Sequence, residues 1–314
     1  MIARPPDGEG VEVSATLSHR PTDFGHDALI ACESVVRIFQ HGVIEVQALQ
    51  GLDLVVDKGE MIAVVGPSGS GKSTLMSVLA GEDEPSAGRV RVDKWNLMKM
   101  SRADRVKYRR SVVGFVRQQT ASNLVPYLDA AGNVSLPLAL AGAPRRGRAA
   151  RVAELLELTG VGHCAERRPS EMSGGEQQRV AISVALANGP RLLLADEPTG
   201  ELDAATAQEV FDAIRAANRD AGATVVIVTH DPAVSGQVGR TVAIRDGRAS
   251  SEVLRRTEDT EDGRSQVIAE EYAVMDRAGR IQIPREYREA LELTRRVRLA
   301  LEEDHVALWP DGSS

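Results

Sequence analysis

The sequence predicts an α/β protein with a helical subdomain, and three observations lead to that fold class. Short apolar runs such as Met61–Val65 and Val225–Thr229 have the length of buried strands. Helical runs alternate with them along the first three-quarters of the chain. The first run leads into the glycine-rich segment Gly66–Gly71 and then the helical run Ser73–Ala80. A second core strand is predicted at Arg191–Ala195.

The long region from about residue 98 to 188 is mostly helical in pattern and is interrupted by several prolines. An insertion of this size between core strands predicts a separate subdomain. The helical run Ala205–Ala217 precedes the third core strand. The α/β core and its helical insertion together are predicted to occupy residues 28–253.

The composition is that of a folded protein, and it lacks the net positive charge that is typical of nucleic-acid-binding proteins. Hydrophobic residues make up 42% of the 314 residues, enough to bury a large core. The formal net charge is −7, which is not the basic footprint of most nucleic-acid binders. Cys32 and Cys164 are too few for a disulfide framework and lack metal-ligand spacing. We expect ordinary thiols in a reducing compartment.

Neither the N-terminal residues nor any apolar run predicts a membrane segment. Residues 1–27 lack a cationic start and an apolar stretch, so they are interpreted as a flexible tail rather than a signal or anchor. The longest apolar runs have strand length, far short of the roughly 20 residues of a spanning helix. Any action on a membrane therefore requires a membrane partner.

The glycine-rich segment fits the phosphate-loop pattern G-x-x-x-x-G-K-[ST] in the expected place between a strand and a helix. The matching residues are Gly66, Pro67, Ser68, Gly69, Ser70, Gly71, Lys72 and Ser73. Glycines let backbone N–H groups surround phosphates, and the helix N-terminus adds a favourable field. We expect Lys72 to reach the β- and γ-phosphates of ATP, Ser73 to ligate Mg²⁺, and Thr74 to complete the nucleotide contacts. The alternative, a Gly/Ser-rich turn with an incidental lysine, does not explain the strand and helix on either side.

Two acids follow the second core strand at the end where ligands of parallel sheets bind. We expect Asp196 to hold Mg²⁺ through water and Glu197 to polarise the attacking water. His230 ends the next core strand, where an imidazole can contact the γ-phosphate. Gln118 would direct a side-chain oxygen toward Mg²⁺ and the water. Alone, an acidic strand end or a glutamine has an ordinary explanation as a solvated polar group.

A second anion-binding surface is predicted at Ser173, Gly174, Gly175 and Glu176, just before the helical run Val180–Ala187. The sequence contains a single lysine-bearing phosphate loop. Two anion-binding surfaces and one such loop imply a nucleotide shared between two copies of the chain.

Taken in order, these motifs resemble the ATP-binding-cassette (ABC) ATPases over about residues 29–253. The segments Phe115–Gln119, Ser173–Arg179 and Ala195–Asp203 look most like the MacB/LolD/FtsE branch, whose members transmit force across a membrane. The resemblance implies an ABC-type P-loop core and an ATPase that is active with ATP and Mg²⁺.

The resemblance also implies partners and further site residues. The phosphate loop of one copy would face the Ser173 segment of a second copy in a head-to-tail dimer. Phe39 would stack on adenine, and Asp203 would lie in the loop that crosses the dimer interface. The region Gln118–Leu140 would meet the coupling helix of a membrane permease, which places the protein peripherally on the cytoplasmic side of the plasma membrane. The molecule acted on is left open, as are a soluble ABC ATPase and a DNA-binding regulator as alternatives.

The composition changes after residue 253. Residues 254–268 are predicted to be a charged linker, and residues 269–314 a small β-rich module of strand, turn, strand, short helix and hairpin. The segment Asp276–Pro284 resembles the AbrB-like swapped-hairpin domain, in which two chains interleave, and which commonly binds DNA. We favour dimerisation over DNA binding for this module, because the net charge is negative and the ATPase must dimerise anyway.

Overall fold

The computed structural model describes residues 25, 27–42, 44–119, 122–200, 202–259, 265–276, 279–294, 296–302 and 305–310. The strands are β1 Ile30–His41, β2 Ile44–Val56, β3 Met61–Val65, β4 Ala87–Val92, β5 Trp95–Asn96, β6 Val113–Val116, β7 Leu192–Asp196, β8 Thr224–Val228, β9 Arg240–Arg245, β10 Arg248–Asp259, β11 Ser265–Ala273, β12 Val297–Leu301 and β13 Val306–Pro310. The helices are α1 Lys72–Leu79, α2 Arg102–Ser111, α3 Ala130–Leu140, α4 Arg145–Leu158, α5 Gly174–Leu186, α6 Ala204–Arg219, α7 Pro232–Ser235 and α8 Arg285–Ala290. The expected tail at 1–27 lies almost wholly outside the described residues.

The central sheet has the strand order β11-β10-β9-β3-β8-β7-β6. The strands from β9 to β6 are parallel to one another, whereas β10 and β11 are antiparallel additions. Alternate residues of β8 enter two different cores: Val225 and Ile227 pack with the later helices, and Val226 and Val228 pack with α1 and the N-terminal strands. Both faces of the sheet are therefore covered, as the continuous apolar runs predict.

The N-terminal strands form a separate antiparallel sheet, with the order β2-β1-β4-β5. Its apolar residues share one core with α1. Tyr108 on α2 is fully buried in this core, and its hydroxyl donates to the carbonyl of Leu79 at 2.5 Å. This sheet and α1 thus cover the face of the central sheet opposite the helical subdomain.

The predicted α/β class with a helical insertion is confirmed. Helices α3, α4 and α5 pack with α6 in the other core. Buried Asn133 fixes the chain segment that precedes α3. Its Oδ1 accepts from Val125 N at 2.7 Å, and its Nδ2 donates to Leu128 O at 3.1 Å. The region also contains β6, a strand that the mostly helical pattern did not predict. With only four residues, including Gly114, β6 carries too short an apolar run to stand out.

The charged segment 254–268 differs from the expected linker. On either side of residues 260–264 it is strand, with Ser251 opposite Ala273 and Asp259 opposite Ser265 in one antiparallel pairing. Charged side chains are compatible with this pairing because opposite charges can lie across the strands, as Arg256 and Glu270 do at 2.9 Å. The segment therefore extends the central sheet at its edge, where water still reaches the side chains.

The C-terminal elements follow the predicted order. An isolated bridge joins Met275 to Ile281, α8 follows, and β12 pairs with β13 in a two-stranded hairpin. Arg277, Ala278 and Arg295 lie outside the described residues. Large apolar side chains are exposed here, including Leu299 at 62% and Leu301 at 79%. The division of the chain at residue 269 and the swapped pairing of two chains remain predictions. Among the described residues, no helix combines the length and apolar composition needed to cross a bilayer.

Candidate active site

Four neighbouring strands bring the predicted site residues to one edge of the central sheet. Val64 on β3 lies opposite Val228 on β8, and Val228 lies opposite Asp196 on β7. Ala195 on β7 in turn lies opposite Val116 on β6. Because these strands are parallel and in register, their carboxyl ends open at the same edge. Asp196 is the last residue of β7, and the phosphate loop, Gln118, Glu197 and His230 follow the ends of their strands.

The phosphate loop requires glycine at two positions because other backbone segments press against it. A Cβ at Gly66 would lie 2.1 Å from the carbonyl oxygen of Ile244, and a Cβ at Gly71 would lie 2.5 Å from that of Ala48. Gly71 also has a φ of 104° and forms the N-cap of α1. The loop is therefore held between β2 and β9 with the first turn of α1 facing the sheet edge.

The loop presents donors in a form suited to phosphate. Lys72 Nζ donates to the carbonyls of Gly66 at 2.8 Å and Pro67 at 2.9 Å, so the ammonium group is held against the loop. The hydroxyl of Ser70 is buried and has no hydrogen-bond partner among the described residues. Backbone N–H groups of the first helical turn are not used within the helix. An anion placed at this loop would find a cation and several unused donors, which fits the phosphates of ATP.

Oxygen donors suited to Mg²⁺ lie on α1, just after β6 and at the end of β7. Ser73 is exposed in the first turn of α1, Gln118 is exposed just after β6, and Asp196 is half-buried at the end of β7. Burial, with a smaller contribution from the neighbouring carboxylate of Glu197, raises the pKa of Asp196 above its ordinary value. A cation would stabilise the ionised form. Hydroxyl, amide and carboxylate oxygens are the hard donors that Mg²⁺ prefers, so this set fits the ion.

Glu197 is held at the start of the loop after β7 in an unusual backbone conformation. Its φ is 47°, and its N–H donates to the carbonyl of Val228 at 2.8 Å. Its Oε1 lies 2.9 Å from Nδ1 of His230. The hydrogen bond to Glu197, followed by its negative charge, raises the pKa of His230. A left-handed conformation in a glutamate costs about 1–3 kcal/mol and is a feature of functional sites.

The Ser173 segment forms the N-terminus of α5 through a capping box. Ser173 N donates to Glu176 Oε2 at 2.7 Å, and Glu176 N donates to Ser173 Oγ at 3.3 Å. The Ser173 N–H bond, with a smaller contribution from His163, lowers the pKa of Glu176 to about 2. The carboxylate therefore stays ionised and fixes the turn that carries Ser173.

Gly175 in this segment allows close packing on α6. A Cβ at Gly175 would lie 2.1 Å from Cγ2 of Thr206, whereas one at Gly174 would lie 3.4 Å from Cδ2 of Leu202, an ordinary contact. Asp203 caps α6, and its Oδ1 accepts from Ala205 N and Thr206 N at 3.1 Å each. The first turn of α5 is thereby fixed against that of α6.

Phe39 lies on β1, opposite Val46 on β2, with its ring half-buried. The guanidinium of Arg37 lies 4.3 Å from the centroid of that ring. Arg37 Nε also donates to Asp83 Oδ2 at 2.7 Å. One face of the aromatic ring is thus covered by a cation, and the role of Phe39 toward adenine remains a prediction.

Gly247 is a positioning residue that the sequence patterns did not single out. Its N–H donates to the carbonyl of Ser70 at 3.0 Å, and its carbonyl accepts from Gln50 N at 2.9 Å. A Cβ here would lie 2.7 Å from the carbonyl oxygen of Ala48. The Asp246-Gly247 pair indicates a turn in the sequence, but the contact with the phosphate loop depends on the neighbouring strands.

Comparisons with known proteins agree with this geometry. The family model described as ABC transporter matches residues 49–200. The lipoprotein-releasing system ATP-binding protein LolD 2 of Caulobacter vibrioides is 43% identical over 221 residues, covering 70% of this chain and 96% of that protein. LolD 1 of Rhodospirillum rubrum is also 43% identical, and 97% of it is covered. The dimeric post-hydrolysis structure of the ATP-binding cassette MJ0796 with ADP and Pi has a TM-score of 0.65 and 35% identity, covering 72% of this chain and 98% of that chain.

Proposed function

The chain belongs to the ABC transporter family as a LolD-like ATP-binding subunit, and from this premise we propose that two copies clamp MgATP between them and drive a membrane permease. It is an ATPase that binds and hydrolyses ATP with Mg²⁺ as the accompanying ion. The observation that carries the proposal is the meeting of the phosphate loop, Asp196, Glu197 and His230 at one sheet edge.

Each of these residues has a distinct role in the proposed hydrolysis. The ammonium of Lys72 moves from the loop carbonyls to the β- and γ-phosphates. Ser73, Gln118 and Asp196 would hold Mg²⁺, and the ion would neutralise charge on the phosphates. Glu197 accepts a proton from the attacking water, and His230 positions that carboxylate and contacts the γ-phosphate.

The second copy completes the site. The N-terminus of α5, with Ser173, Gly174 and Gly175, offers unused backbone donors to a γ-phosphate bound at the partner's loop. Asp203 at the start of α6 lies in the loop that would cross the interface. The dimeric structure of the related cassette supports this arrangement.

A groove beside the helical subdomain supports contact with a permease. Its volume is about 550 Å³, and it lies between α2, β6 and α3. Exposed apolar groups border or line it, including Val106 at 55% and Leu140 at 69% exposure. Arg109 and Arg117 both lie within salt-bridge distance of Glu82, so the groove has excess positive charge. A short amphipathic coupling helix with an acidic residue fits this surface. The protein would then lie peripherally on the cytoplasmic side of the membrane.

Co-purification from detergent-solubilised membranes tests the partner class. The tagged chain should retain a permease, and Leu140→Asp should reduce the amount recovered because it places a charge on the apolar rim. Val267→Asp is a matched control, since Val267 is similarly exposed, at 62%, on β11 away from the groove. Unchanged permease recovery with Leu140→Asp would contradict the docking surface. Recovery of ribosomes or DNA without any permease would instead favour a soluble ABC ATPase.

The C-terminal residues 269–314 are proposed to form a dimerisation module. An isolated two-stranded hairpin is only marginally stable in water, and β12–β13 leaves several apolar side chains uncovered. A second copy is already brought close by the ATPase, so pairing of the two tails would cover these groups. DNA binding by the tail would appear as salt-sensitive retention on DNA that is lost when the tail is deleted.

A further inference from the structure

A histidine, a cysteine and a glutamate meet beside the first turn of α5. His163 Nε2 lies 2.9 Å from Glu176 Oε1, and Cys164 Sγ lies 3.4 Å from the same oxygen. The three donor atoms all lie within 4.8 Å of one another. The hydrolysis proposed above uses neither His163 nor Cys164. Cys164 was expected to be an ordinary thiol, because the two cysteines of the sequence lack metal-ligand spacing.

Two of the three separations are close to those of a tetrahedral metal site, and the third pair of donor atoms lies within 4.8 Å. Bonds of about 2.0 Å to nitrogen or oxygen and about 2.3 Å to sulfur place two ligand atoms roughly 3.3–3.5 Å apart. The sulfur of Cys164 and the oxygen of Glu176 already have such a separation, at 3.4 Å. The His163 and Glu176 atoms, at 2.9 Å, need to move apart by a few tenths of an ångström.

The donor types indicate which ion would bind. A thiolate and an imidazole favour a borderline-soft cation, whereas Mg²⁺ prefers a shell of oxygens. We propose that His163, Cys164 and Glu176 form a site for Zn²⁺ or a chemically similar divalent cation, with a water as the fourth ligand. On binding, the thiol hydrogen that Cys164 directs at Glu176 leaves to solvent as a proton, and a bond from sulfur to the metal replaces it.

The site is open on one side, and a bound metal would compete with Arg167 for the carboxylate of Glu176. The side chain of His163 is 54% exposed, so an ion can enter past it, while Cys164 forms the buried floor. Arg167 Nη1 lies 3.7 Å from Glu176 Oε1, and its side chain is 49% exposed. Arg167 must turn outward into solvent when the metal binds.

A bound metal would act on the turn that carries Ser173. It would use Oε1 of Glu176 and leave Oε2 on the N–H of Ser173. The short helical turn Gly162–Cys164 would then be tied to the N-terminus of α5. This consequence rests on the proposed function, in which that N-terminus approaches a nucleotide of the second copy; the metal site itself does not.

Cobalt binding by the full-length, reduced, nucleotide-free protein tests the site. Co²⁺ should produce a sulfur-to-cobalt charge-transfer band in the near ultraviolet, and Zn²⁺ should abolish it by competition. His163→Ala should raise the Kd for Co²⁺ at least about tenfold, since even loss of an outer-shell partner of a metal ligand costs that much. Arg167→Gln should lower the Kd because a competing cation is removed.

Two cysteine variants make the assignment specific. Cys164→Ala should lose the band, whereas Cys32→Ala should keep it, because Cys32 is buried on β1 away from this cluster. The absence of a band in the wild type, or a band that persists in Cys164→Ala, would overturn the proposal. Since no nucleotide is present, a failed ATPase assignment would leave this result unaffected.

Discussion

His230 Nδ1 lies 2.9 Å from Oε1 of Glu197, and the two side chains differ sharply in exposure, at 70% for His230 and 13% for Glu197. The backbone N–H of His230 also faces the second oxygen of Glu197 at 3.4 Å. His230, at the end of the neighbouring strand β8, therefore holds the carboxylate that is proposed as the base before any nucleotide binds. Its orientation is set by β8 and not only by its own loop.

The first prediction concerns the pKa of His230. Glu197 raises this pKa above the ordinary 6.5, so Glu197→Gln should lower it toward that value. Because the pKa of His230 is raised in the folded state, protonation of His230 stabilises the fold. This contribution to stability is fully present below pH 6.5 and is lost as the pH rises through the folded-state pKa of His230. Solvent screening keeps the contribution small for so exposed a group. NMR titration of the imidazole in both proteins is the measurement; equal pKa values would contradict the pairing.

Glu197→Gln should also reduce ATP hydrolysis by about 10²- to 10⁴-fold, the usual contribution of a general base. The amide keeps the shape of the side chain but cannot accept the proton of the attacking water. MgATP should therefore accumulate in a stable dimer. Phosphate release and sedimentation velocity with ATP are the two measurements. A turnover close to the wild-type rate would contradict the assignment of Glu197 as the general base.

Gly175→Ala should lower the free energy of unfolding by about 1–3 kcal/mol, the usual cost of overpacking. The new methyl would lie 2.1 Å from Cγ2 of Thr206, where α5 and α6 pack. Adding Thr206→Ser should restore much of the loss, because serine lacks that methyl and keeps the hydroxyl that donates to Asp203 at 2.7 Å. Urea unfolding of the single and double variants measures both effects.

Gly174→Ala is the matched control, since its Cβ would make only an ordinary contact at 3.4 Å with Leu202. It should change stability much less than Gly175→Ala. Similar losses in the two variants, or no recovery with Thr206→Ser, would show that the close packing of α5 on α6 does not set the requirement for glycine.

The local parts of the site and their place at one sheet edge could be predicted from sequence, whereas the direct contact between Glu197 and His230 could not. The loop around Lys72 is one continuous segment whose pattern specifies its conformation. The contact between Glu197 and His230 depends on β8 pairing between β3 and β7, which are far apart in sequence. Residues 254–268 were interpreted as a linker because their charge is typical of solvated segments. At a sheet edge, however, charged side chains reach water without leaving the strand.

Ser173→Arg should leave ATP binding to a single chain intact and prevent the ATP-dependent dimer. The substitution puts a long cationic side chain at the N-terminus of α5, where the partner's γ-phosphate must approach in the proposed dimer. Fluorescent-nucleotide binding and sedimentation with MgATP separate the two effects. A full ATP-dependent dimer in this variant would contradict the shared site.

Deletion of residues 275–314 should lower the dimer fraction of the nucleotide-free protein without disturbing the ATP site. The cut keeps β11 and the bond from Val274 N to Ser250 O at 3.0 Å, so the edge of the central sheet is preserved. Paired tails would hold two ATPase cores at roughly millimolar effective concentration. Hydrolysis should therefore fall in dilute protein and recover at high protein concentration.

A full-length variant separates pairing from other effects of the deletion, which also removes the ion pair of Arg248 with Asp276 at 3.3 Å. Leu299→Glu with Leu301→Glu keeps that ion pair and places charge on two side chains that are 62% and 79% exposed. Because both already face solvent in one chain, the single chain should remain folded. Its dimer fraction without nucleotide should fall as far as that of the deletion. Sedimentation equilibrium of the three proteins is the measurement, and equal monomer fractions in all three would exclude dimerisation through the tail.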